Sequence, residues 1–252
     1  MKRIERALIS VTDKRGLVEF VKGLRALDIE IVSTGGTAKT LKEAGLPIIP
    51  ISDFTGYPEM LDGRGKTLHP KVHGGVLARR DSPKHQEEMQ AHGIRPIDLV
   101  VVNLYAFEET VRKPGVSLEE IIENIDIGGP TLLRSAAKNY KDVAVVVNPG
   151  KYDVVLQELR KNNGTLSEQI KMRLALEAFK TTAAYDAVIY NYLKGLTSSE
   201  TLQDFPQELN LAFKKLLDLR YGENPHQRAA LYREPSAAKE PCAAWATSLW
   251  GK

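Results

Sequence analysis

Asp98-Leu-Val-Val-Val102 is the stretch that decides the fold of this chain, and Val143-Ala-Val-Val-Val147 has the same character. Both contain unbroken apolar runs in which polar and apolar residues do not alternate. Such runs are typical of parallel strands that are buried on both faces of a sheet. Helix-like segments separate the strand-like ones. Repeated βα units of this kind predict an α/β fold with a doubly wound parallel sheet and helices on both faces.

Strand-like and helix-like segments also alternate before residue 98. Short apolar strands are predicted over 7–10, 29–33 and 48–51. The helix-spaced apolar residues after the first strand are Leu17, Phe20, Val21, Leu24 and Leu27. A second helix ends near Ala44, with Gly45 as its C-cap. Later helices are predicted over 117–123, 130–139, 152–161 and 167–193. Sheets of this kind bind ligands at the carboxyl ends of their strands.

The regular pattern weakens after Leu193, which marks a domain edge. Residues 195–206 are polar and interrupted, as in a linker. Beyond them we predict a strand over 209–213, a polar loop over 219–227 and an irregular tail. Fewer than sixty residues are too few for a good independent domain. We therefore expect one domain over 1–195 and, over 196–252, a linker with a segment too short to be a domain of its own.

The composition indicates a soluble protein with a substantial core. Apolar residues make up 42% of the chain, and 35 basic against 32 acidic side chains leave a net charge of +3. This balance excludes a strongly basic nucleic-acid binder. Cys242 is the only cysteine, so a reducing compartment without an internal disulfide is favoured. We find no secretory signal and no apolar run near the ~20 residues of a membrane helix. A cytoplasmic protein with neither nucleic-acid nor membrane partners is expected.

Two strand-to-helix junctions have the residues of a phosphate site. They are Ser10-Val-Thr-Asp-Lys14 and Ser33-Thr-Gly-Gly-Thr37. A helix N-terminus offers free N–H groups and a partial positive charge, and glycine lets a ligand approach the backbone. Simple helix capping by Ser, Thr and Asp is the alternative, and for either junction taken alone it is the commoner explanation. Neither junction matches a Walker A or a GxGxxG motif, so ATP and NAD are disfavoured.

The stretch Asp62–Gly75 is dense in cations, which favours a negatively charged ligand. The alternative is a solvated surface loop. His69 and His73 are four residues apart, but Pro70 prevents a continuous helix through both, so structural histidines are expected rather than a metal site. Tyr105 follows a buried strand, where it serves as a hydroxyl donor or as an amphipathic rim residue.

Asn124 to Asn139 is the most informative segment. Gly128-Gly129-Pro130 opens a helix, since proline suits the first turn. Thr131, Arg134 and Lys138 share one face of that helix, and Asp126 lies just before it. A carboxylate, a cationic stripe and free backbone donors together indicate a proton-transfer and oxyanion site. A dipole-favoured Asp beside a solvated basic face is the alternative.

These segments together resemble one family of bifunctional purine biosynthesis proteins, in which IMP cyclohydrolase precedes phosphoribosylaminoimidazolecarboxamide (AICAR) formyltransferase. The motifs that carry the resemblance are the two junctions, Lys66-Thr-Leu-His-Pro-Lys-Val-His-Gly-Gly75, Asn103-Leu-Tyr105, Asp126–Asn139 and Leu219-Arg-Tyr-Gly-Glu-Asn-Pro-His-Gln227. The first five run in order through the cyclohydrolase half, and the last resembles the opening of the formyltransferase half.

The resemblance implies a fold, an activity and a set of site residues. The fold is a methylglyoxal-synthase-like (MGS-like) α/β domain in a homodimer. The activity closes the ring of 5-formamido-4-imidazolecarboxamide ribotide (FAICAR), with loss of water, to give IMP. The implied catalytic residues are Lys66, Tyr105, Asp126 and Lys138. The implied substrate-binding residues are Ser10, Thr12, Lys14, Ser33, Thr34, Gly35, Gly36, Thr37, Arg64, Thr67, Asn103, Gly128 and Gly129. Cyclisation needs no metal or cofactor.

The resemblance also implies that the formyltransferase half uses 10-formyltetrahydrofolate, and that Arg220 and Tyr221 match substrate contacts of that half. Formyl transfer is not expected from this chain alone, because the catalytic region of that half does not follow. Two residues depart from the family pattern: Gly65 replaces a usual valine and Ala106 a usual proline. Each is expected to loosen the neighbouring catalytic residue, Lys66 or Tyr105.

Three other interpretations compete with a cyclohydrolase. The same fold class serves as a non-catalytic effector-binding domain and as methylglyoxal synthase, and a purely structural dimerisation piece is the third. The block from Asp126 to Lys138, together with Asn103-Leu-Tyr105, is needed by none of them. In the cyclohydrolase hypothesis Asp126 accepts the amide proton, Lys66 and backbone N–H groups stabilise the oxyanion, and Tyr105 and Lys138 orient Asp126 and protonate the departing hydroxyl.

Overall fold

The computed structural model describes residues 2–105, 107–197, 213–233 and 243–246. Its centre is a five-stranded parallel sheet in the order β3-β2-β1-β4-β5. The strands are β1 Arg6–Ser10, β2 Glu30–Ser33, β3 Ile49–Pro50, β4 Leu99–Val102 and β5 Ala144–Val146. The chain moves outward from β1 to β3 and then returns to the other side of β1. The strand order therefore reverses between β1 and β4, which is where open α/β sheets bind ligands.

The described part of the chain contains ten α-helices. They are α1 Leu17–Arg25, α2 Gly35–Glu43, α3 Ile51–Thr55, α4 Pro70–Leu77, α5 Pro83–Ala91, α6 Phe107–Val111, α7 Leu118–Glu123, α8 Gly128–Lys138, α9 Tyr152–Lys161 and α10 Glu168–Thr197. The helix predicted over 152–161 agrees with α9 at both ends. Gly45 follows α2 with φ of 73°, the left-handed conformation expected of a glycine after a helix.

Helices cover both faces of the sheet, so each face has its own apolar core. On one face Leu17, Phe20 and Val155 pack against β1 and β4, and the rings of Phe20 and Tyr152 stack 4.2 Å apart. On the other face Leu132 and Ala136 of α8 pack against the opposite side chains of the same strands. All four residues of β4 are buried, as the unbroken apolar run predicted. The predicted α/β fold with a parallel sheet is confirmed.

Two local predictions are wrong, each for a physical reason, and the start of one helix is shifted by two residues. The third strand covers only Ile49–Pro50, because Pro50 lacks an N–H for the ladder and Ile51 already begins α3. The second half of the cationic stretch is helix α4 rather than loop, since Pro70 suits a first helical turn. Helix α8 begins at Gly128, two residues before the predicted start at Pro130.

The chain divides into two compact units, Met1–Tyr185 and Asp186–Lys252. In the second unit, β6 Lys214–Leu219 and β7 Ala229–Arg233 form an antiparallel hairpin. The predicted strand over 209–213 lies outside the described residues except for Phe213, which is not in a strand, and Cys242 and Ala106 also lie outside them. The predicted domain boundary at 195 stays a prediction. Within the described ranges, no helix is both long and apolar enough to cross a membrane.

Candidate active site

A cleft of about 830 Å³ opens at the carboxyl ends of β1, β2 and β4, where the strand order reverses. Its volume is within the range of small-molecule sites. Fifteen of the predicted site residues line it: Ser10, Thr12, Lys14, Thr34, Gly35, Gly36, Thr37, Arg64, Lys66, Thr67, Asn103, Tyr105, Asp126, Gly128 and Gly129. Ser33 and Lys138 do not line it. Arg220 and Tyr221 belong to the second unit and are exposed.

One corner of the cleft concentrates positive charge at the start of α2. A Cβ on Gly35 would lie 2.9 Å from Lys66 Nζ, and a Cβ on Gly36 would lie 3.8 Å from Lys14 Nζ. Thr34 is the N-cap of α2, but within the described residues its side chain makes no hydrogen bond to the amides of that helix. Its Oγ1 lies 2.7 Å from Ser10 Oγ instead. Two ammonium groups beside the positive end of a helix repel each other, and a bound anion offsets this repulsion because it attracts both of them. We refer to this group of residues as the anion corner.

Polar side chains of the junctions hold the loops around the anion corner. Asn103 Oδ1 accepts hydrogen bonds from Thr12 N at 2.7 Å, Thr12 Oγ1 at 2.8 Å and Asp13 N at 3.0 Å. Thr37 Oγ1 bonds both the amide and the carbonyl of Val11 at 2.9 Å. Asn103 and Thr37 therefore fix the first junction between β1 and α1, which presents Ser10 and Lys14 to the cleft.

Asp126 also lines the cleft and lies in the turn before α8. Its Oδ1 accepts a hydrogen bond of 2.8 Å from the amide of Gly129. Burial raises the pKa of the Asp126 carboxyl, and hydrogen bonds from the amides of Gly129 and Tyr105 oppose that shift in part. A Cβ on Gly129 would collide with Asp126 Oδ2 and lie 2.8 Å from Leu104 Cδ2. Glycine at 129 is therefore required for this approach of carboxylate and helix.

Tyr105 stands beside Asp126 at the end of β4 and is 47% exposed. Burial, and secondarily the negative charge of Asp126, raise the pKa of the Tyr105 hydroxyl. The phenol therefore keeps its proton at neutral pH. The cleft thus pairs a carboxylate of increased basicity with a neutral hydroxyl that can donate a proton.

The loop that carries Lys66 connects the anion corner with the start of α8. Lys66 Nζ lies 3.5 Å from Glu59 Oε1. Thr67 is buried, and a Cβ on Gly128 would lie 2.7 Å from Thr67 Oγ1, so this hydroxyl touches the first residue of α8. The side chain of Lys66 is thus in the anion corner, while the next residue, Thr67, contacts the start of α8. Sequence reasoning did not identify Glu59.

Arg64 projects from the same loop and forms an exposed bidentate ion pair with Glu123 at the end of α7. Glu123 also lines the cleft and was not predicted from the sequence. Gly65 has φ of 76°, and no atom lies within 4 Å of the position of a Cβ there. Valine enters this left-handed conformation only with strain. Glycine at 65 therefore suits the left-handed backbone of the loop. The expectation that Gly65 loosens Lys66 did not take this conformation into account.

Several predicted residues lie away from the cleft. Ser33 is buried, and its hydroxyl donates to the carbonyl of Ile9 at 2.8 Å. Lys138 ends α8, and the eleven residues of this helix place it about 15 Å from the end at the cleft. Arg134 lies over the ring of Phe179, 5.9 Å from its centroid. Thr131 donates to Ile127 O at 2.7 Å. The shared helix face of Thr131, Arg134 and Lys138 does not line the cleft.

Both histidines of the cationic stretch have structural partners, as predicted. His69 Nδ1 accepts a hydrogen bond of 3.1 Å from Lys71 N and caps α4. His73 Nδ1 lies 3.3 Å from Ser135 Oγ, and burial lowers the pKa of its imidazole. Over the described ranges, no three His, Cys, Asp or Glu side chains are grouped as a metal site requires.

Comparison with known proteins gives the family. The model of the MGS-like domain matches residues 16–131, and that of the AICARFT/IMPCHase bienzyme matches residues 136–252. The chain is 54% identical over its whole length to the bifunctional purine biosynthesis protein PurH of Magnetococcus marinus. The chain belongs to the AICARFT/IMPCHase bienzyme family. The resemblance drawn from the sequence motifs is confirmed.

This chain covers 47% of the Magnetococcus protein and thus spans about half the length of that curated relative. Among solved structures, that of ForH is 35% identical and superposes with a TM-score of 0.69. The match includes 75% of this chain and 99% of ForH. The likeness to ForH supports the α/β fold described above.

Proposed function

We propose that this chain is an IMP cyclohydrolase, the half of a purine-biosynthesis bienzyme that closes the ring of FAICAR to give IMP. One observation carries the proposal: a single cleft joins the anion corner, at Lys14 and Lys66, to the carboxylate–phenol pair of Asp126 and Tyr105. A nucleoside monophosphate carries its charge and its reacting groups at opposite ends. The cleft lines one ligand space with groups suited to each of these two parts.

The phosphate of the substrate binds in the anion corner. Backbone N–H groups at the start of α2 and the hydroxyls of Ser10 and Thr34 donate hydrogen bonds to it, and Lys14 neutralises its charge. Gly35 and Gly36 leave room for the phosphate close to the backbone. This anchoring fixes the ribotide, so that its carboxamide and formamide groups extend towards Asp126.

Ring closure then needs proton transfers at the reacting groups of the substrate. The carboxamide nitrogen attacks the formyl carbon, Asp126 takes the proton that this nitrogen loses, and the electron pair of the C=O bond moves to oxygen. The amide of Gly128 at the start of α8 stabilises that oxyanion, since the Gly129 amide binds Asp126. Lys66 belongs to the anion corner and is assigned to the phosphate, so its predicted oxyanion role stays a prediction. Burial makes Asp126 a stronger base than an exposed carboxylate. Lys138 is assigned no contact with these reacting atoms, and its predicted role stays a prediction.

Dehydration completes the reaction. The oxyanion takes one proton from Tyr105 and the one held by Asp126, the C–O bond breaks and water leaves. The former formamide nitrogen gives its proton to the Tyr105 phenolate as the C=N bond of the new ring forms, so Asp126 and Tyr105 return to their starting states. Tyr105 is suited to donation because its hydroxyl stays protonated at neutral pH. The protein thus contributes proton transfer and charge stabilisation to the formation of the C–N bond and the cleavage of the C–O bond.

The proposal assigns the two activities of the bienzyme to different halves of the protein. We assign 10-formyltetrahydrofolate to the formyltransferase half, with Arg220 and Tyr221 as contacts for its substrate. Both residues lie exposed between β6 and β7, and we derive no step through the folate. The small-molecule partners of this chain are FAICAR and IMP. A homodimer is proposed on the family relationship alone.

The test is direct. The purified chain is incubated with FAICAR in buffer containing a chelator and no folate, and IMP is identified as the product. The control variant Asp153→Asn changes an exposed aspartate of α9 and should produce IMP at the wild-type rate. Asp126→Asn should lose most of this activity. Tight nucleotide binding without turnover would instead support the non-catalytic effector domain. Release of inorganic phosphate from dihydroxyacetone phosphate would support methylglyoxal synthase.

A further inference from the structure

Tyr185, on helix α10, reaches the turn that carries Asp126 from 59 residues away. Its hydroxyl accepts a hydrogen bond of 2.8 Å from the backbone amide of Asp126 and donates one of 3.4 Å to the carbonyl of Asn124. The same oxygen thus binds both sides of the turn. Neither bond involves the Asp126 carboxylate, so Tyr185 touches the backbone of the proposed base and not its reacting atoms.

We propose that Tyr185 is a positioning residue, which holds Asp126 in its catalytic orientation; this inference rests on the proposed function. The direction of a side chain depends on the backbone that carries it. The Asp126 carboxylate is held at one end by Gly129 N, and the Asp126 peptide is held at the other by Tyr185. With both ends fixed, the carboxylate has little freedom to rotate away from the cleft.

Tyr185 also supports the segment that carries Tyr105. Its ring meets the ring of Phe107 edge to face, with centroids 6.3 Å apart and planes at 73°. Phe107 is 1% exposed, and its amide donates to the carbonyl of Tyr105 at 2.9 Å. One side chain of α10 therefore sets the positions of both segments from which base and acid project. A displacement of about 1 Å at such groups costs roughly a hundredfold in rate.

Replacing Tyr185 by phenylalanine separates positioning from packing. The ring and its contact with Phe107 remain, and the two hydrogen bonds from the hydroxyl to the Asp126 turn are lost. The matched control is Tyr190→Phe, the same change on the same helix, at a tyrosine that is 41% exposed. We expect Tyr185→Phe to lower kcat by about tenfold to a hundredfold with KM within about twofold, because the anion corner is unchanged. Tyr190→Phe should change neither constant.

The decisive measurement does not depend on turnover. Carboxyl ¹³C NMR titration of wild type, with Asp126→Asn used to assign the Asp126 signal, gives the pKa of this carboxyl. In Tyr185→Phe a looser turn admits water, so the pKa should fall towards its ordinary value and the kcat–pH profile should shift with it. Loss of thermal stability with an unchanged titration and unchanged kcat would overturn the proposal, since that result describes packing only.

Two further results keep the inference apart from the proposed function. If wild-type protein forms no IMP, the proposed function fails, and the NMR titration still decides whether Tyr185 positions Asp126. If Tyr185→Phe does not fold, hydrogen exchange of the Asp126 amide in wild type provides the test. Slow exchange is expected of an amide bound to Tyr185, and exchange at the rate of an exposed loop would overturn the proposal.

Discussion

Asp126 Oδ1 accepts a 2.8 Å hydrogen bond from the amide of Gly129, so the proposed catalytic base also caps helix α8. Two opposing effects act on this carboxylate. Amide donors at a helix N-terminus stabilise its charge, whereas burial disfavours the charge. Burial is the larger effect and raises the pKa of Asp126. A single side chain thus combines a fixed position with increased basicity.

Asp126→Asn should abolish most of the ring-closing activity without unfolding the domain. The amide oxygen of asparagine can still accept the bond from Gly129 but cannot accept a proton, and positioned acid–base groups contribute about 10²–10⁴-fold in rate. The check is the rate of IMP formation together with a thermal melt. Asp126→Ala is the companion variant: it should lose the same activity and, in addition, about 1 kcal/mol of stability with the cap. Near-normal turnover in Asp126→Asn would exclude Asp126 as the base.

The stability of Asp126→Asn relative to wild type should depend on pH in a defined direction. Burial raises the folded-state pKa of Asp126 above its ordinary value, so folding favours the protonated carboxyl. The contribution of this group to stability is therefore most favourable in acid and is lost as the pH rises through the folded-state pKa. Asp126→Asn has no such loss. Urea unfolding should show the variant gaining stability relative to wild type between about pH 4 and pH 7. A difference that stays constant over this interval would contradict the raised pKa.

Gly129→Ala tests whether the close approach of helix and carboxylate matters for catalysis. The new methyl group would collide with Asp126 Oδ2 and lie 2.8 Å from Leu104 Cδ2. We expect the carboxylate to be displaced and turnover to fall by roughly a hundredfold. Gly195→Ala is the control, because no atom lies within 4 Å of its Cβ position on α10. It should keep full turnover and gain up to about 1 kcal/mol from helix propensity. Unchanged turnover in Gly129→Ala would show that Asp126 tolerates displacement.

The sequence predicts those features of the fold and the cleft that have local causes. Unbroken apolar runs locate β4 and β5, because a strand covered on both faces needs apolar side chains throughout. The two junctions are predicted to share a site because carboxyl ends of parallel strands meet at one edge of the sheet. The structure places Ser10 Oγ 2.7 Å from Thr34 Oγ1, one residue from each junction.

Features that depend on contacts distant in sequence were not predicted. Helical spacing groups Thr131, Arg134 and Lys138 on one face, but it does not say which face of α8 meets the cleft. Tyr185 carries no local signal, since a tyrosine in a long amphipathic helix is an ordinary packing residue. Glu59 reaches the anion corner only through the fold of the loop before Lys66. The dense cations of that loop did not reveal that a carboxylate accompanies them.

Glu59→Gln should strengthen the binding of phosphate-bearing ligands. Glu59 Oε1 lies 3.5 Å from Lys66 Nζ, so the carboxylate competes with an incoming phosphate for this ammonium group. Exposed ion pairs are worth about 0.2–1 kcal/mol, so removing the competitor should raise the affinity for IMP by up to about fivefold. The gain should shrink at high salt, where the ion pair is already screened. Titration calorimetry at two salt concentrations measures both effects.

The control for this prediction is Glu43→Gln, which makes the same charge change at an exposed pair with Lys39 on α2. Neither residue of that pair lines the cleft. A gain confined to Glu59→Gln would assign the effect to Lys66 and the anion corner. Equal gains in both variants would mean that net charge alone attracts the nucleotide, and Glu59 would then have no local effect on binding in the cleft.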